Sequence, residues 1–505
     1  MTIQKIALIG AGVMGLGIAQ IAAQAGLEVR LFDAKENIAK EGFEKLKVTL
    51  EKLMHKGKIT ERQLIDTLSR LIIIDRVEGI SGVDLVIEAV VENLAIKQSL
   101  FKQLEAIVKP DVILVSNTSS LLVSEIASVC KNKERIAGYH FFNPVPLMKI
   151  VEVVPGVETA EYVIEELLIL AERMGHLGVK AKDSPGFIVN NIGRAFSTEG
   201  LKVLGEGVST TSEIDRILRN GLGFKMGPFE LFDLTALDVS HPAMISTFTQ
   251  FFFDDRYRPS PITSLMFAGK KFGRKVGEGF YKYENGIKIN EDPPKAVPKI
   301  TQFNRVWIKT DYETDAEILK AYLLEQGILL DLEQEPNTDS LILLATYGED
   351  TTTAALRFGV DPTRSINIDM LPEFTKHRTL MPSIATRKDY IDQAHAIFAK
   401  SKQGLSIIDE SVGFVSQRIL ALIVNLASDV AQQQVASAMH VDTCVKLALG
   451  YPYGPISWGD ILGAKRILLI TQRIFSITGD QRYRPSVWLQ RRANLNLSLL
   501  YSSNI

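Results

Sequence analysis

A strand-like run, Gln4 to Ile9, feeds straight into Gly10-Ala11-Gly12-Val13-Met14-Gly15 and then into a helical stretch, Leu16 to Gln24. A G-x-G-x-x-G between a strand and a helix leaves few folds open. Its glycines permit a tight turn, close backbone approach to a pyrophosphate, and close packing of helix on strand. The helix N-terminus behind them offers N–H groups and the positive end of its dipole to a phosphate. A second strand, Glu28 to Phe32, ends in Asp33, where a carboxylate binds adenosine ribose hydroxyls and repels a 2′-phosphate. The expectation is a dinucleotide site built by Gly10, Gly12, Val13, Met14, Gly15 and Asp33, taking NAD rather than NADP. A phosphate-free βαβ turn that merely needs glycine is the competing reading.

The second informative stretch is Gly138 to Val154, GYHFFNPVPLMKIVEVV. Ile150 to Val154 reads as a strand, and Glu152 interrupts it. An ionised carboxylate in such a run is costly unless it is paired. His140, just before the turn-forming Asn143-Pro144 and Pro146, is the nearest candidate partner. A histidine steadied by a buried carboxylate is a well-oriented general base. A structural histidine with an edge-exposed glutamate fits these residues alone equally well.

Strand and helix alternate between these two stretches. Leu85-Val86-Ile87 with Glu88 reads as a strand, Leu94 to Val108 as a helix with Glu92 and Lys97 flanking its start, and Val112 to Val115 as the next strand. Ser116-Asn117-Thr118-Ser119-Ser120 follows it, at a strand C-terminus where open parallel sheets bind ligands. Ser119 or Ser120 could instead cap a helix. Asn37 to Leu71 is helical in pattern and rich in lysine (Lys40, Lys45, Lys47, Lys52, Lys56, Lys58). That is ordinarily a solvated face; contact with the phosphates of a bulky anionic substrate is the sharper alternative.

A helix, about Ala160 to Met174, and a short strand, Gly178 to Ala181, complete the α/β pattern. Asp183-Ser184-Pro185-Gly186 then reads as a cap and first-turn proline opening a long helix, with Asn190 one turn in. The pattern stays helical to about Val276. EDPPKAVPK, Glu291 to Lys299, is a polar linker. Beyond it Arg305 to Lys309, Ile328 to Leu332 and Leu341 to Leu344 read as short strands among helices, and Gly413 onward is helical again.

The totals set outer limits. At 505 residues the chain exceeds one compact core, and about two to four domains are expected. A net charge of −2 gives no electrostatic case for nucleic acid or an anionic membrane. Cys130 and Cys444 form no C-x-x-C, which argues against a zinc site or disulfide framework and fits a reducing cytoplasm. The start enters directly into a strand without a secretory pattern. No apolar run reaches the roughly 18 residues a membrane span needs.

The two helical stretches repeat. Gly186-Phe187 recurs as Gly413-Phe414, Asp215 as Asp442, Gly223 as Gly450, Gly227-Pro228 as Gly454-Pro455 and Asp233 as Asp460, each 227 positions on. Arg256-Tyr257-Arg258-Pro259-Ser260 returns as Arg482-Tyr483-Arg484-Pro485-Ser486, one residue out of phase. A constant offset through turn residues implies duplication. The same offset carries His140 to Asn367, Glu152 to Thr379 and Asn190 to Gln417, so the second copy is expected to lack base, carboxylate and amide.

Taken together, GAGVMGLGIA, VIEAVVENLAIK, SNTSSL, HFFNPVPLMKIVEVV, DSPGFIVNN, GPFELFDL and GRKVGEGFY make the chain resemble the L-3-hydroxyacyl-CoA dehydrogenases, over essentially its whole length. The closest likeness is to longer bacterial forms with two C-terminal helical domains, the 3-hydroxybutyryl-CoA and 3-hydroxyadipyl-CoA enzymes. The resemblance implies a Rossmann-type α/β NAD domain (1–183), an all-α domain (184–284), a linker (285–299), a degenerate α/β region (300–410) and a second all-α copy (411–505). It implies His140 as base, Glu152 as its partner, and Ser119 and Asn190 around the reacting oxygen. It matches Asp33, Glu92, Lys97, Ser119, Asn143 and Lys275 to NAD-contacting positions. Asn191 departs from the arginine common after the motif asparagine. The implied reaction is NAD-dependent oxidation of a (3S)-3-hydroxyacyl-CoA, in fatty acid or phenylacetate degradation, with no metal. Two alternatives stand beside it: a same-fold dehydrogenase of a small hydroxy or sugar acid, and a non-catalytic NAD-binding scaffold. A homodimer, or an internal pseudo-dimer of the two helical copies, is the expected assembly.

Overall fold

The computed structural model describes residues 3–300, 302–400 and 403–502. In chain order its strands are β1 (Lys5–Ile9), β2 (Glu28–Phe32), β3 (Leu71–Ile73), β4 (Leu85–Glu88), β5 (Ile113–Ser116), β6 (Ile136–Phe141), β7 (Ile150–Pro155), β8 (Leu177–Lys180), β9 (Tyr283–Glu284), β10 (Ile287–Lys288), β11 (Val306–Thr310), β12 (Leu341–Ala345), β13 (Ser365–Ile368), β14 (Arg378–Pro382) and β15 (Leu405–Ile407). Its helices are α1 (Val13–Gln24), α2 (Ile38–His55), α3 (Glu61–Ser69), α4 (Leu94–Ile107), α5 (Val123–Ala127), α6 (Glu161–Arg173), α7 (Val189–Gly205), α8 (Thr211–Leu222), α9 (Pro228–Thr235), α10 (Leu237–Gln250), α11 (Pro261–Ala268), α12 (Glu313–Glu325), α13 (Thr351–Phe358), α14 (Lys388–Phe398), α15 (Val415–Gln432), α16 (Ala438–Leu449), α17 (Pro455–Leu462), α18 (Ala464–Thr478) and α19 (Val487–Asn494). The chain forms two compact units. One runs up to Asn191 and also takes in Gln433–Leu449; the other holds Ile192–Gln432 and the chain from Gly450 on.

In the first unit eight strands form one sheet, ordered β3-β2-β1-β4-β5-β6-β7-β8. Every pairing is parallel except β6 with β7. Helices on both faces explain the near-continuous apolar strands. Ile6, Leu8, Val29, Leu31, Val151 and Val153 share one core with α1 and α6. Ala7, Ile9, Val86 and Leu114 share the other with Phe101 and Leu104 of α4. Chain order reverses between β1 and β4, the switch point beside which such sheets bind nucleotides.

The helical stretch from Asn37 to Leu71 folds as the two helices α2 and α3: Gly57 turns the chain at φ +66°, and Thr60 and Gln63 form a capping box that starts α3. Such a cap is worth about 1 kcal/mol. Leu71–Ile73 then leaves as an edge strand. Asp183 does not cap α7. Its carboxylate accepts the N–H groups of Val123 and Ser124 at 2.9 and 2.8 Å, at the start of α5, and α7 begins only at Val189. Ser119 and Ser120 are not helix caps, because α5 starts after Leu122.

The second unit holds a five-stranded sheet, β11-β12-β13-β14-β15. Its pairings run parallel, parallel, antiparallel, parallel, the order and sense of β4 to β8. Among the described residues the copy therefore has no counterparts of β1, β2 and β3, the half that carries the glycine turn. Ile328 to Leu332 is no strand; it makes one isolated bridge, Leu330 to Val306, at the sheet edge. The strands β13, β14 and β15 lay unread, being 3 to 5 residues each.

Strand register also revises the repeat. Ala137 faces Pro155, whereas Ile366 faces Pro382. The offset is thus 227 on β14 but 229 on β13, and Asp369, not Asn367, takes the place of His140, with its N–H on Thr379 O at 3.0 Å. Asp369 is buried, and that burial pushes its carboxyl up to about 6. Gln417 does retain an amide, but spends it on Gly348 N, Thr346 O and Asp369.

The repeated turn residues recur for a physical reason. The Asp233 carboxylate accepts Phe280 N and Tyr281 N at 2.8 Å each, and Asp460 accepts Leu499 N at 2.8 Å. Ser260 caps α11 and Ser486 caps α19. Within this unit the two helical copies interlock. Arg256 of one reaches Asp429 on α15, and Arg482 of the other reaches Thr198 Oγ1 on α7 at 2.9 Å. Arg482 also donates to Arg258 O at 3.1 Å, so the two R-Y-R-P-S turns lie against each other.

Candidate active site

The first unit gathers most of the residues singled out above. At the glycine turn, Gly10 takes φ +105°, and a Cβ there would lie 2.5 Å from Ala89 O. A Cβ on Gly12 would meet nothing within 4 Å, and no side chain caps α1, so the space before its first N–H groups is open. The Asp33 carboxylate accepts Ala11 N and Lys35 N at 2.9 Å each. Beside it lies a cavity of about 350 Å³ lined by Asp33, Lys35, Asn37, Ile73 and Ile74 among others. An open phosphate cradle next to an oriented carboxylate and an adjoining cavity fits a dinucleotide with a free 2′-hydroxyl.

The antiparallel pair β6–β7 sets His140 directly opposite Glu152. His140 Nδ1 lies 2.6 Å from Glu152 Oε2, with the glutamate fully buried and the histidine 4% exposed. Glu152 Oε1 accepts Ile188 N and Val189 N at 2.9 and 3.0 Å, where the chain enters α7. A carboxylate only accepts, so His140 Nδ1 is the donor in this contact and Nε2 is the ring nitrogen that Glu152 does not engage. Phe142 and Phe187 flank the imidazole at centroid distances of 4.4 and 5.8 Å.

From there hydrogen bonds run on toward the cofactor turn. Asn190, next to Val189, donates its amide to Ser119 O at 3.3 Å. Ser119 N and Ser120 N donate to Glu92 Oε1 at 2.9 and 3.0 Å, and Thr118 Oγ1 donates at 2.6 Å. Burial pushes the Glu92 carboxyl up, but the Lys97 ammonium and these donors outweigh it and hold it below the ordinary carboxylate range. Lys97 is itself buried, 2.6 Å from Glu88 and 3.3 Å from Glu92. It braces two acids rather than presenting its charge to solvent. Glu88 also accepts Ser116 Oγ at 2.6 Å and Val90 N at 2.7 Å.

Two matched positions are not part of this hydrogen-bonded run. Asn143 is exposed, at the cis peptide to Pro144. Lys275 belongs to the second unit, where its ammonium pairs with Asp238. The lysines of α2 are largely exposed; Lys40 pairs with Asp75 at 3.5 Å. Sequence reasoning gave Glu88 no role in the site, left Ser116 as one of a polar cluster and read Asp183 as a helix cap. The signal for Glu88 was available: it is an acid closing an apolar strand, as Glu152 interrupts one.

The doubly wound sheet, glycine turn and Asp33 define the class, a Rossmann-type NAD-dependent oxidoreductase. Comparison with known proteins narrows it. Residues 5–184 match the model of the 3-hydroxyacyl-CoA dehydrogenase NAD-binding domain, and residues 186–283 and 413–498 match that of the C-terminal domain. The chain is 34% identical to a 3-hydroxyadipyl-CoA dehydrogenase of Escherichia coli K12, over 98% of both chains. It is 40% identical to a probable 3-hydroxybutyryl-CoA dehydrogenase of Bacillus subtilis, over 56% of this chain and 99% of that one. A crystal structure of 3-hydroxybutyryl-CoA dehydrogenase from Escherichia coli K12 superposes with a TM-score of 0.85 at 32% identity, covering 98% and 99% of the two chains. The chain belongs to the 3-hydroxyacyl-CoA dehydrogenase family, as an NAD-dependent oxidoreductase. Among the described residues no helix is long and apolar enough to cross a membrane, and no cluster of side chains could hold a metal ion.

Proposed function

We propose that this protein oxidises a (3S)-3-hydroxyacyl-CoA to the 3-oxoacyl-CoA. The observation that carries the reading is the buried 2.6 Å contact between His140 and Glu152. NAD, when bound, supplies the hydride acceptor. His140 Nε2 takes the hydroxyl proton, and Glu152 stabilises the imidazolium as it forms. Ser119 and Asn190 hydrogen-bond the oxygen on which charge builds. Gly10, Gly12, Val13, Met14 and Gly15 cradle the cofactor phosphates, and Asp33 takes the ribose. Glu92, Lys97, Asn143 and Lys275 complete the cofactor contacts; of these, Lys97 acts through Glu92, given its burial.

The relatives that span the whole chain carry names for both a dicarboxylic and a short acyl group. Phenylacetate or fatty acid degradation are the corresponding settings, in the cytoplasm, where the free buried Cys130 and Cys444 would stay reduced. NADH consumption is measured with acetoacetyl-CoA, with longer and dicarboxylic 3-oxoacyl-CoA thioesters, and with free oxo acids. Turnover of the thioesters alone is expected. Turnover confined to free acids overturns the substrate class, and none with any compound leaves an NAD-binding scaffold.

The domain limits that fit this reading are 1–183, 184–284, a linker at 285–299, 300–410 and 411–505. The reciprocal contacts of Arg256 with α15 and of Arg482 with α7 support an internal pseudo-dimer, the second helical copy serving the first as a partner subunit would. Deleting the residues after Pro298 is expected to give dimers or aggregates in sedimentation experiments. A fully active, monodisperse monomer contradicts it.

A further inference from the structure

Gln433–Leu449 follows the second helical copy in sequence yet packs within the first unit. Its helix α16 lies on β7. Alternation along β7 sends Val151 and Val153 into the core shared with α1 and α6, so Ile150, Glu152 and Val154 face the other way. The covering stripe of α16 is Val441, Cys444 and Val445, all fully buried. Burial first, and then the charge of Glu152, raise the Cys444 thiol well above its ordinary range.

The other end of the segment grips the turn before α7. Val435 O accepts the backbone N–H of Lys182, and Gln433 O accepts Lys182 Nζ, each at 2.9 Å. Lys182 leads within six residues to Ile188, the first of the two N–H donors on Glu152 Oε1. One segment therefore touches both the strand that carries Glu152 and the chain that donates to it.

The second unit repeats the arrangement. There α8 of the first helical copy lies on β14, and Val208 O accepts Asp409 N at 2.9 Å. Val208 and Asp409 stand 227 positions from Val435 and Lys182. Each helical copy thus lends its second helix to the other copy's sheet. On β14, however, Thr379 stands where Glu152 would be, and no imidazole faces it. Only the loan to β7 reaches a carboxylate paired with histidine.

We propose that Gln433–Leu449 is a positioning element for the Glu152–His140 pair, with Cys444 its point of action, so that the duplicated half completes the active site of the first. The inference rests on the reading of that pair as the catalytic base. Cys444 packs against the carboxylate's strand and excludes water from it. Removing the thiol lets Glu152 hydrate and shift, and misplacement of this order costs rate rather than cofactor affinity.

The test uses the full chain with NAD. Cys444→Ala is expected to lower kcat about tenfold, well inside the range that small misplacements produce. The KM for NAD should not change, and the acid limb of the pH–rate profile should move. Cys444→Ser, close in size, should recover most of the rate, and Met439→Ala, at an exposed position of α16, should match the wild type. In a Glu152→Gln background the Cys444 substitution should cost nothing further. An unchanged kcat and pH profile in Cys444→Ala overturns the proposal, as does an equal loss in both backgrounds. Should Cys444→Ala fail to fold, Val441→Ala is judged by the same criteria. If Glu152→Gln alone leaves rate and pH profile intact, the base reading itself falls. If Glu152→Gln is costly while Cys444→Ala and Val441→Ala are silent, only the positioning role falls.

Discussion

His140→Gln lowers kcat by about a hundredfold or more, the low end of what a general base contributes, and leaves NAD binding nearly intact. Glutamine can reach Glu152 and fill much of the slot between Phe142 and Phe187, so the fold around β6 and β7 is retained. What it lacks is a nitrogen lone pair basic enough to take an alcohol proton. Among the described residues no hydrogen bond or ring contact joins His140 to Gly10–Gly15 or to Asp33, the proposed cofactor contacts, so the dissociation constant for NADH, followed by its fluorescence, should hold. A variant that keeps half its turnover removes His140 from the chemistry.

Arg418→Met destabilises the second unit by about 3–5 kcal/mol, the usual result of stripping one partner from a buried ion pair. Arg418 Nε sits 2.8 Å from Glu199, with side chains 3% and 0% exposed. Its other nitrogens reach Tyr483 Oη at 2.9 Å, Ser411 Oγ at 3.0 Å and Glu206. Removing the guanidinium leaves the buried Glu199 with the Tyr483 phenol as donor and only the more distant Arg482 guanidinium, 3.9 Å away, to offset its charge. Urea unfolding followed by tryptophan fluorescence reads the loss, and Arg418→Met combined with Glu199→Leu should recover much of it. A loss below about 1 kcal/mol would show that solvent already reaches the pair.

Much of the fold could be read because its determinants are local. The glycine turn, the acid after β2, and the caps at Ser260 and Ser486 act over a few residues, and they mark element ends. The His140–Glu152 contact was legible for another reason: an acid in an apolar run demands a partner, and a hairpin-like turn separates it from the nearest base. Asp183 misled because a cap residue followed by proline also suits a helix start, and only the folded sheet brings the start of α5 to its carboxylate. The resemblance matches Lys97 to a cofactor contact; nothing in the sequence shows that Glu88 lies close enough to engage its ammonium as well. The Asp369 register was lost because the stretch between β13 and β14 is two residues shorter than that between β6 and β7, which a constant offset does not show. The pairing of Lys182 with Val435 spans 253 residues, beyond any periodicity or motif.

Because α7 and α15 belong to one chain, their contact does not depend on how much protein is present. In a separate-subunit arrangement the same surfaces would part on dilution, with stability tied to protomer concentration. A covalent tether fixes a high effective concentration instead. The enzyme can therefore work at low cellular abundance with its paired helices still in place, and each half is free to accept substitutions that its twin could never tolerate.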